Sequence, residues 1–256
     1  MAVCWRSPLS SFDKDSAWSP ERYSPELAQQ QALAENSVPL ATLVTFCKET
    51  FNPAGNGINR QGSYIVLDTN HAYEGRIQFR GQPVPIAGVG SIKRPLKSGY
   101  VIVSRLRTYL RQVALIDDEL FDGFDGEVVC STEFYVLAPA GDLDIAFLVP
   151  FLLSAPVQKA FAAAEEGGHH PRVPPDVLLK LAVPLSMLDT RENLSKRVRQ
   201  SIQLIRAGER VMAEVHADTR KATALIAPDK KEPEAIKETT TRTRRSRISS
   251  IALKGS

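Results

Sequence analysis

Between Val38 and Pro139 the apolar positions come in short runs separated by turn residues: Leu40 to Phe46, Tyr64 to Leu67, Arg76 to Phe79, Tyr100 to Val103, Val113 to Ile116 and Phe134 to Leu137. Their β-branched and aromatic content predicts strands, with turns at Asn56-Gly57, Glu74-Gly75, Ser98-Gly99 and Phe124-Asp125-Gly126. From Asp142 the pattern changes. Ile145 to Leu153 and Val157 to Ala164 are rich in Ala and Leu and end at Gly167-Gly168, a helix stop. Asp176 to Leu181 fits one or two helical turns, Val183-Pro184-Leu185 a short extended piece, and Asp189 the cap of a further helix.

Asp189 to about Leu225 contains no proline and carries Leu194, Val198, Ile202, Ile205, Met212 and Val215 at steps of three, four and seven. A helix of that span is ~55 Å long, more than a compact domain of this size requires. Its apolar stripe needs a partner, either its own domain or a second chain, and Ser201 and Gly208 interrupt any strict coiled-coil seam. The expected organisation is therefore a Ser/Pro-rich arm with a short helix over 1–36, an irregular, mostly β body with packed helices over 37–188, a long helix over 189–227, and a disordered basic tail over 228–256. The fold class is α+β.

Composition adds little: 256 residues with 43% hydrophobic and 24% charged fit a soluble globular chain. No apolar run approaches the ~20 residues of a spanning helix, and no signal-peptide pattern opens the chain, so a cytoplasmic protein without membrane contact is expected. Cys4, Cys47 and Cys130 are too few and scattered for a disulfide framework or a zinc site and read as inert thiols.

Charge changes the picture more. Arg76, Arg80, Lys93, Arg94, Lys97, Arg105, Arg107 and Arg111 fall in a stretch without Asp or Glu, which therefore carries +8 while the whole chain carries only +3. Asp117, Asp118, Glu119, Asp122, Asp125 and Glu127 come next as an acidic, Gly-containing loop. Such a field either concentrates and steers a polyanion or is a solvated face whose charges pair with that loop. In the tail, Arg242, Arg244, Arg245 and Arg247 either add attraction to nucleic acid or only solubilise.

Catalytic signatures are missing. Gly88-Val-Gly90-Ser-Ile-Lys93 meets the spacing of neither a P-loop nor a dinucleotide fingerprint, His169-His170 has no third ligand at a regular spacing, and no Gly-x-Ser-x-Gly elbow occurs. We expect no catalytic residue, no metal and no cofactor on this chain.

Two blocks carry a family likeness. Gly99-Tyr-Val-Ile-Val-Ser-Arg105-Leu-Arg107-Thr-Tyr109-Leu-Arg111-Gln112-Val-Ala114, with Val129-Cys130-Ser131-Thr132-Glu133-Phe134-Tyr135-Val136-Leu137-Ala-Pro139 after it, resembles the target-recognition domain of type I restriction-modification specificity subunits. So does the order Leu148 to Ser154, Gly167 to Val173, then Leu178 to Pro184 leading into the long helix. The likeness spans roughly Pro39 to Leu188 and makes 37–188 a recognition domain and 189–227 a spacer or dimerisation helix. Specificity subunits of that family usually carry two recognition domains separated by paired helices, so this chain looks like half a subunit. The resemblance implies a non-catalytic, double-stranded DNA recognition subunit of a phage-defence system. It would direct a separate adenine methyltransferase, which holds S-adenosylmethionine, and with it a restriction or translocase subunit. A homodimer paired through Leu194, Val198, Ile202, Ile205, Met212 and Val215 would read a palindromic split site. The family's signature after the Pro-Leu-Pro element is poorly matched at Ser186 to Leu194.

The expected DNA-binding residues are Asn70, Arg76, Gln78, Lys93, Arg94, Lys97, Arg105, Arg107, Tyr109, Arg111 and Gln112: cations for phosphates, forks and amides for base edges, and Tyr109 for stacking or a sugar. Tyr109 serves that role or the core, Leu110 the core, and Arg172 either an internal ion pair or DNA. A stand-alone DNA-binding adaptor and a purely structural scaffold are the alternatives.

Overall fold

The computed structural model describes residues 36–55, 61–78, 81–165 and 171–224. The expectations for the arm, for Arg80, for the Gly167 to His170 turn and for the basic tail lie outside these residues. Among the described residues twelve strands are formed: β1 Ser37–Pro39, β2 Val44–Phe46, β3 Ser63–Leu67, β4 Ala72–Tyr73, β5 Arg76–Ile77, β6 Val84–Pro85, β7 Lys93–Pro95, β8 Val101–Ser104, β9 Val113–Leu115, β10 Glu127–Ser131, β11 Phe134–Pro139 and β12 Ala182–Pro184. The α-helices are α1 Leu148–Leu152, α2 Ala155–Ala163, α3 Pro175–Leu179, α4 Leu185–Asp189 and α5 Arg191–Ala224. The fold class is α+β.

Two four-stranded sheets, in the orders β2-β11-β8-β9 and β6-β3-β10-β7, carry the architecture. The first is antiparallel throughout; in the second, β10 runs parallel to β3 and antiparallel to β7. Alternation along the strands explains their unbroken apolar character, because a strand covered on both faces has no polar side. Val101, Val103, Val113, Leu115, Tyr135 and Leu137 face a core built with α1, α2, α3 and the start of α5, where Phe147, Leu148, Leu152, Phe161 and Leu178 are also buried. Their neighbours Ile102, Ala114, Phe134 and Val136 face the second sheet, against Ile65, Leu67, Val128 and Cys130. The outer face of that second sheet is covered more lightly, by Phe51 and Val89 over Tyr64 and Val129.

Helix boundaries obey proline chemistry. Pro156 and Pro175 lie in the first turns of α2 and α3, where a missing N–H costs nothing. Asp189 does not cap the long helix: it ends α4, where Thr190 turns the chain and its hydroxyl donates to the Ser186 carbonyl at 3.0 Å. α5 then starts as a docked element. The Phe147 N–H donates to Ser195 Oγ at 3.1 Å, Arg199 holds both oxygens of Asp144 at 3.0 Å, and Ile202 is buried in the helix-side core with Leu194 and Val198 packed against it. These three stripe positions thus cover their own body, which corrects their expected place in a dimer interface. Ile205, Met212 and Val215 stay 40%, 53% and 50% exposed.

The compact unit runs to Gly208, and a second unit begins at Glu209. In the second unit, the turns from Glu209 to Ala224 leave Val211, Met212 and Val215 exposed.

Candidate nucleic-acid interface

The antiparallel strands β8 and β9 are joined by an eight-residue turn, Arg105 to Gln112, which holds five of the eleven expected contacts. Three carboxylates from three distant segments fix it. Arg105 Nε donates to Glu133 Oε2 at 2.9 Å. The Thr108 N–H and hydroxyl both donate to Glu165 Oε1 at 2.9 Å. Arg111 makes a two-pronged pair with Glu74, its Nε on one oxygen and Nη2 on the other at 3.2 Å. Backbone bonds close the frame: the Val173 N–H donates to the Arg105 carbonyl, the Leu110 N–H to Arg107 and the Arg111 N–H to Thr108, the last two making a single 3-10 turn over Thr108–Leu110.

Glu74 arrives by topology. The β4–β5 hairpin lies along the β9 edge, where the Gly75 N–H donates to the Val113 carbonyl at 2.8 Å and the Leu115 N–H to the Gly75 carbonyl at 3.0 Å. Glu133 sits between β10 and β11 and serves two arginines, since Arg172 Nε and Nη2 reach its two oxygens at 3.1 and 3.0 Å. The Arg172 and Arg105 hydrogen bonds hold the Glu133 carboxyl at about 2, far below its ordinary value of 4.5. Glu133 in turn raises the pKa of both guanidinium groups, so all three stay charged throughout the physiological range.

The backbone is strained in the same place. Among the described residues, the non-glycine positions with positive φ are Glu74 at 45°, Arg107 at 48° and Arg111 at 52°. A side chain in the left-handed region costs about 1 kcal/mol or more, and such strain persists where the surroundings over-determine it. Here two of the three residues are ion-paired to each other. The third, Arg107, is exposed, as is Tyr109 two residues on, at 71%.

The cationic stretch is thus less free than the sequence suggests. Lys93 is 9% exposed, donates to Ser91 Oγ at 3.1 Å and lies 3.9 Å from Asp68. Arg94 donates to the Cys47 carbonyl at 2.9 Å. Both lie in β7, where these contacts give them a structural role beside the DNA contact expected of them. Arg105 and Arg111 are committed to carboxylates, and Arg172 takes the ion-pair alternative. Arg76 is half-buried and lines a groove of about 360 Å³ with Val149, Leu153, Val198 and Ile205. Asn70 and Gln78 are exposed beside the β4–β5 hairpin, Lys97 is exposed between β7 and β8, and Gln112 is half-buried with its carbonyl accepting from the Ser104 N–H. Leu110 is half-buried.

The acidic loop pairs elsewhere. Asp117 Oδ2 accepts from Arg206 of α5 at 2.6 Å, with both side chains 13% exposed, and Glu119 stands 3.9 Å from the same guanidinium. Glu127 is not loop at all but opens β10. Glu74, Glu133, Glu165 and Thr108 escaped the sequence reading, because each acts on a partner 28 to 57 positions away. No local pattern marks them.

Comparison with solved structures found chains that resemble this one. One is a chain from a structure describing complex assembly and conformational transition of the type I R-M system, with 23% identity, 75% of this chain and 49% of that chain covered, and a TM-score of 0.52. The fold is shared with a type I R-M chain. The HsdS subunit from Thermoanaerobacter tengcongensis also matches, at 22% identity over 72% of this chain and 46% of that one, with a TM-score of 0.48. This chain spans about half the length of either. No family model and no curated protein matches it in sequence. Among the described residues, no group of His, Cys, Asp and Glu is arranged to hold a metal, and no helix is long and apolar enough to cross a membrane.

Proposed function

We propose that this chain is a double-stranded DNA recognition subunit of the type I restriction-modification kind, with residues 37–188 as its recognition body. The observation that carries the reading is the β8–β9 turn, which three carboxylates brace while Arg107 and Tyr109 face solvent. The fold it shares with a chain of the type I R-M system supplies the setting in which such a turn meets a duplex. Exposed Lys97, Asn70 and Gln78 add backbone and groove contacts, with Gln112 at the edge of the turn. The chain itself does no chemistry. It brings a separate adenine methyltransferase, holding S-adenosylmethionine, to its site, with a restriction or translocase subunit as a further partner.

Two copies pair through Met212 and Val215, with Ile205 and Val211, giving a two-fold assembly on a split palindrome. Duplex affinity tests the first half of this reading. Two neutralised phosphates alone give about a tenfold fall in affinity between 50 and 200 mM salt, and a binding constant flat across that range refutes it. Pull-down of a methyltransferase subunit separates a specificity subunit from a stand-alone adaptor. For pairing, a Met212→Asp, Val215→Asp variant is expected to sediment as a monomer with an unchanged melting curve. Ile202→Ala, by contrast, removes buried core and costs about 2–4 kcal/mol of stability.

A further inference from the structure

The β8–β9 turn contains an arginine that folding alone would not choose. At φ 48° a glycine or asparagine suits the backbone better, yet position 107 holds a long cation that is exposed and, among the described residues, makes no side-chain hydrogen bond or ion pair. Its neighbours are the opposite. Arg105 at the start of the turn, Thr108 in its middle and Arg111 at its end are each held by a carboxylate from a different segment: Glu133, Glu165 and Glu74. Positions 105, 108 and 111 are thus pinned, and positions 107 and 109 between them are presented.

We propose that this turn is a preset reading head: Arg107 inspects a guanine edge in the major groove, Tyr109 packs on the adjoining sugar, and Glu74, Glu133 and Glu165 are positioning residues. The proposal rests on the DNA-recognition reading above and assigns roles within it. A guanidinium fork matches the O6 and N7 acceptors of guanine, and two parallel bonds discriminate only when the fork arrives at a fixed angle. Bracing the turn before DNA arrives removes the ordering cost that a mobile eight-residue turn would impose at binding. It also explains the pairing of Arg105 and Arg111 with carboxylates. Arginines whose guanidinium groups are already engaged by carboxylates hold the reader in place.

The experiment uses the full chain, with any subunit that co-purifies, and a pool of randomised 40-base-pair duplexes selected at about 50 mM salt. The parent is expected to enrich a motif containing guanine at one decisive position. Arg107→Asn, which the left-handed backbone tolerates, is expected to melt at the parent's temperature or above it. It keeps weak duplex binding, and its preference for that guanine falls by roughly 5- to 150-fold. Arg107→Gly serves as a second variant with the same expectation. Tyr109→Ala weakens binding to all sequences alike and leaves the motif intact. Glu165→Ala broadens the preference at that same position. Glu165→Gln, which keeps an acceptor oxygen for Thr108, restores it.

An Arg107→Asn protein that enriches the parental motif with undiminished preference overturns the inference while leaving DNA recognition standing. Loss of folding in both Arg107 variants overturns it as well, by making the side chain structural. A parent that shifts no duplex and enriches nothing sinks the recognition reading and this inference together.

Discussion

Replacing Glu133 by glutamine removes the charge that two arginines share, and the consequence can be worked out from the geometry. The carboxylate accepts from Arg105 at 2.9 Å and from Arg172 at 3.0 and 3.1 Å, and its side chain is 24% exposed. Its pKa lies at about 2 in the folded protein against 4.5 ordinarily. At about 1.4 kcal/mol for each tenfold difference in proton affinity, the folded state gains about 3 kcal/mol from the ionised form. Because the folded value is depressed, that gain is fully present above 4.5 and is lost as pH falls toward 2. About half of it survives at pH 3. Urea unfolding of parent and Glu133→Gln chains is therefore expected to show a gap of up to about 3 kcal/mol at pH 7, reduced by solvent screening of the partly exposed pair and narrowing to roughly half its size at pH 3. A gap of equal size at the two pH values would refute the reasoning, because glutamine and a protonated carboxyl differ little in shape and both lack the charge.

Two further perturbations probe other joints of the fold. Arg206→Ala leaves the Asp117 carboxylate buried without its cation, at a cost of about 3 kcal/mol at pH 7. Burial already raises the Asp117 pKa and Arg206 lowers it, so without Arg206 the folded state takes up a proton more readily. The deficit against the parent is thus expected to shrink as pH falls toward the acid range, as read by melting curves. Gly126→Ala would drive a Cβ into the Ser63 carbonyl oxygen and the Phe124 ring, whereas Gly208 has open space on α5. The first is expected to lose about 3 kcal/mol and the second to gain up to about 1 kcal/mol, measured by the same unfolding assay.

Much of the fold was legible where local pattern and tertiary demand agree. The runs at Tyr64, Tyr100, Val113 and Phe134 are strands β3, β8, β9 and β11 because burial on both faces leaves no polar alternation to confuse them. The run Leu40 to Phe46 splits into a 3-10 turn and β2, because Leu40 plugs the helix-side core while its N–H donates to the Leu181 carbonyl. β10 was hidden. Its partners β3 and β7 lie far away in sequence, and the acidic residues before it read as loop. The charged site was legible only as a concentration of arginine. Which arginines are bound and which are free depends on Glu74, Glu133 and Glu165, brought in by long-range pairing that composition does not encode. The stripe on α5 was legible as apolar, but its division at Ile202 comes from the body it docks on.

The small sheet of β1 and β12 has a separate consequence. Ser37 lies opposite Pro184 and Pro39 opposite Ala182, so the first and last strands of the body sit one strand spacing apart. A segment whose two ends emerge side by side is a cassette: it can be lifted out and a homologous one grafted in without stretching either junction. A graft cut at Ser37 and Pro184 would still inherit Leu194, Val198 and Ile202 from its host as part of its core. Chimeras that exchange those three positions along with the cassette should therefore be better folded than chimeras that leave them behind.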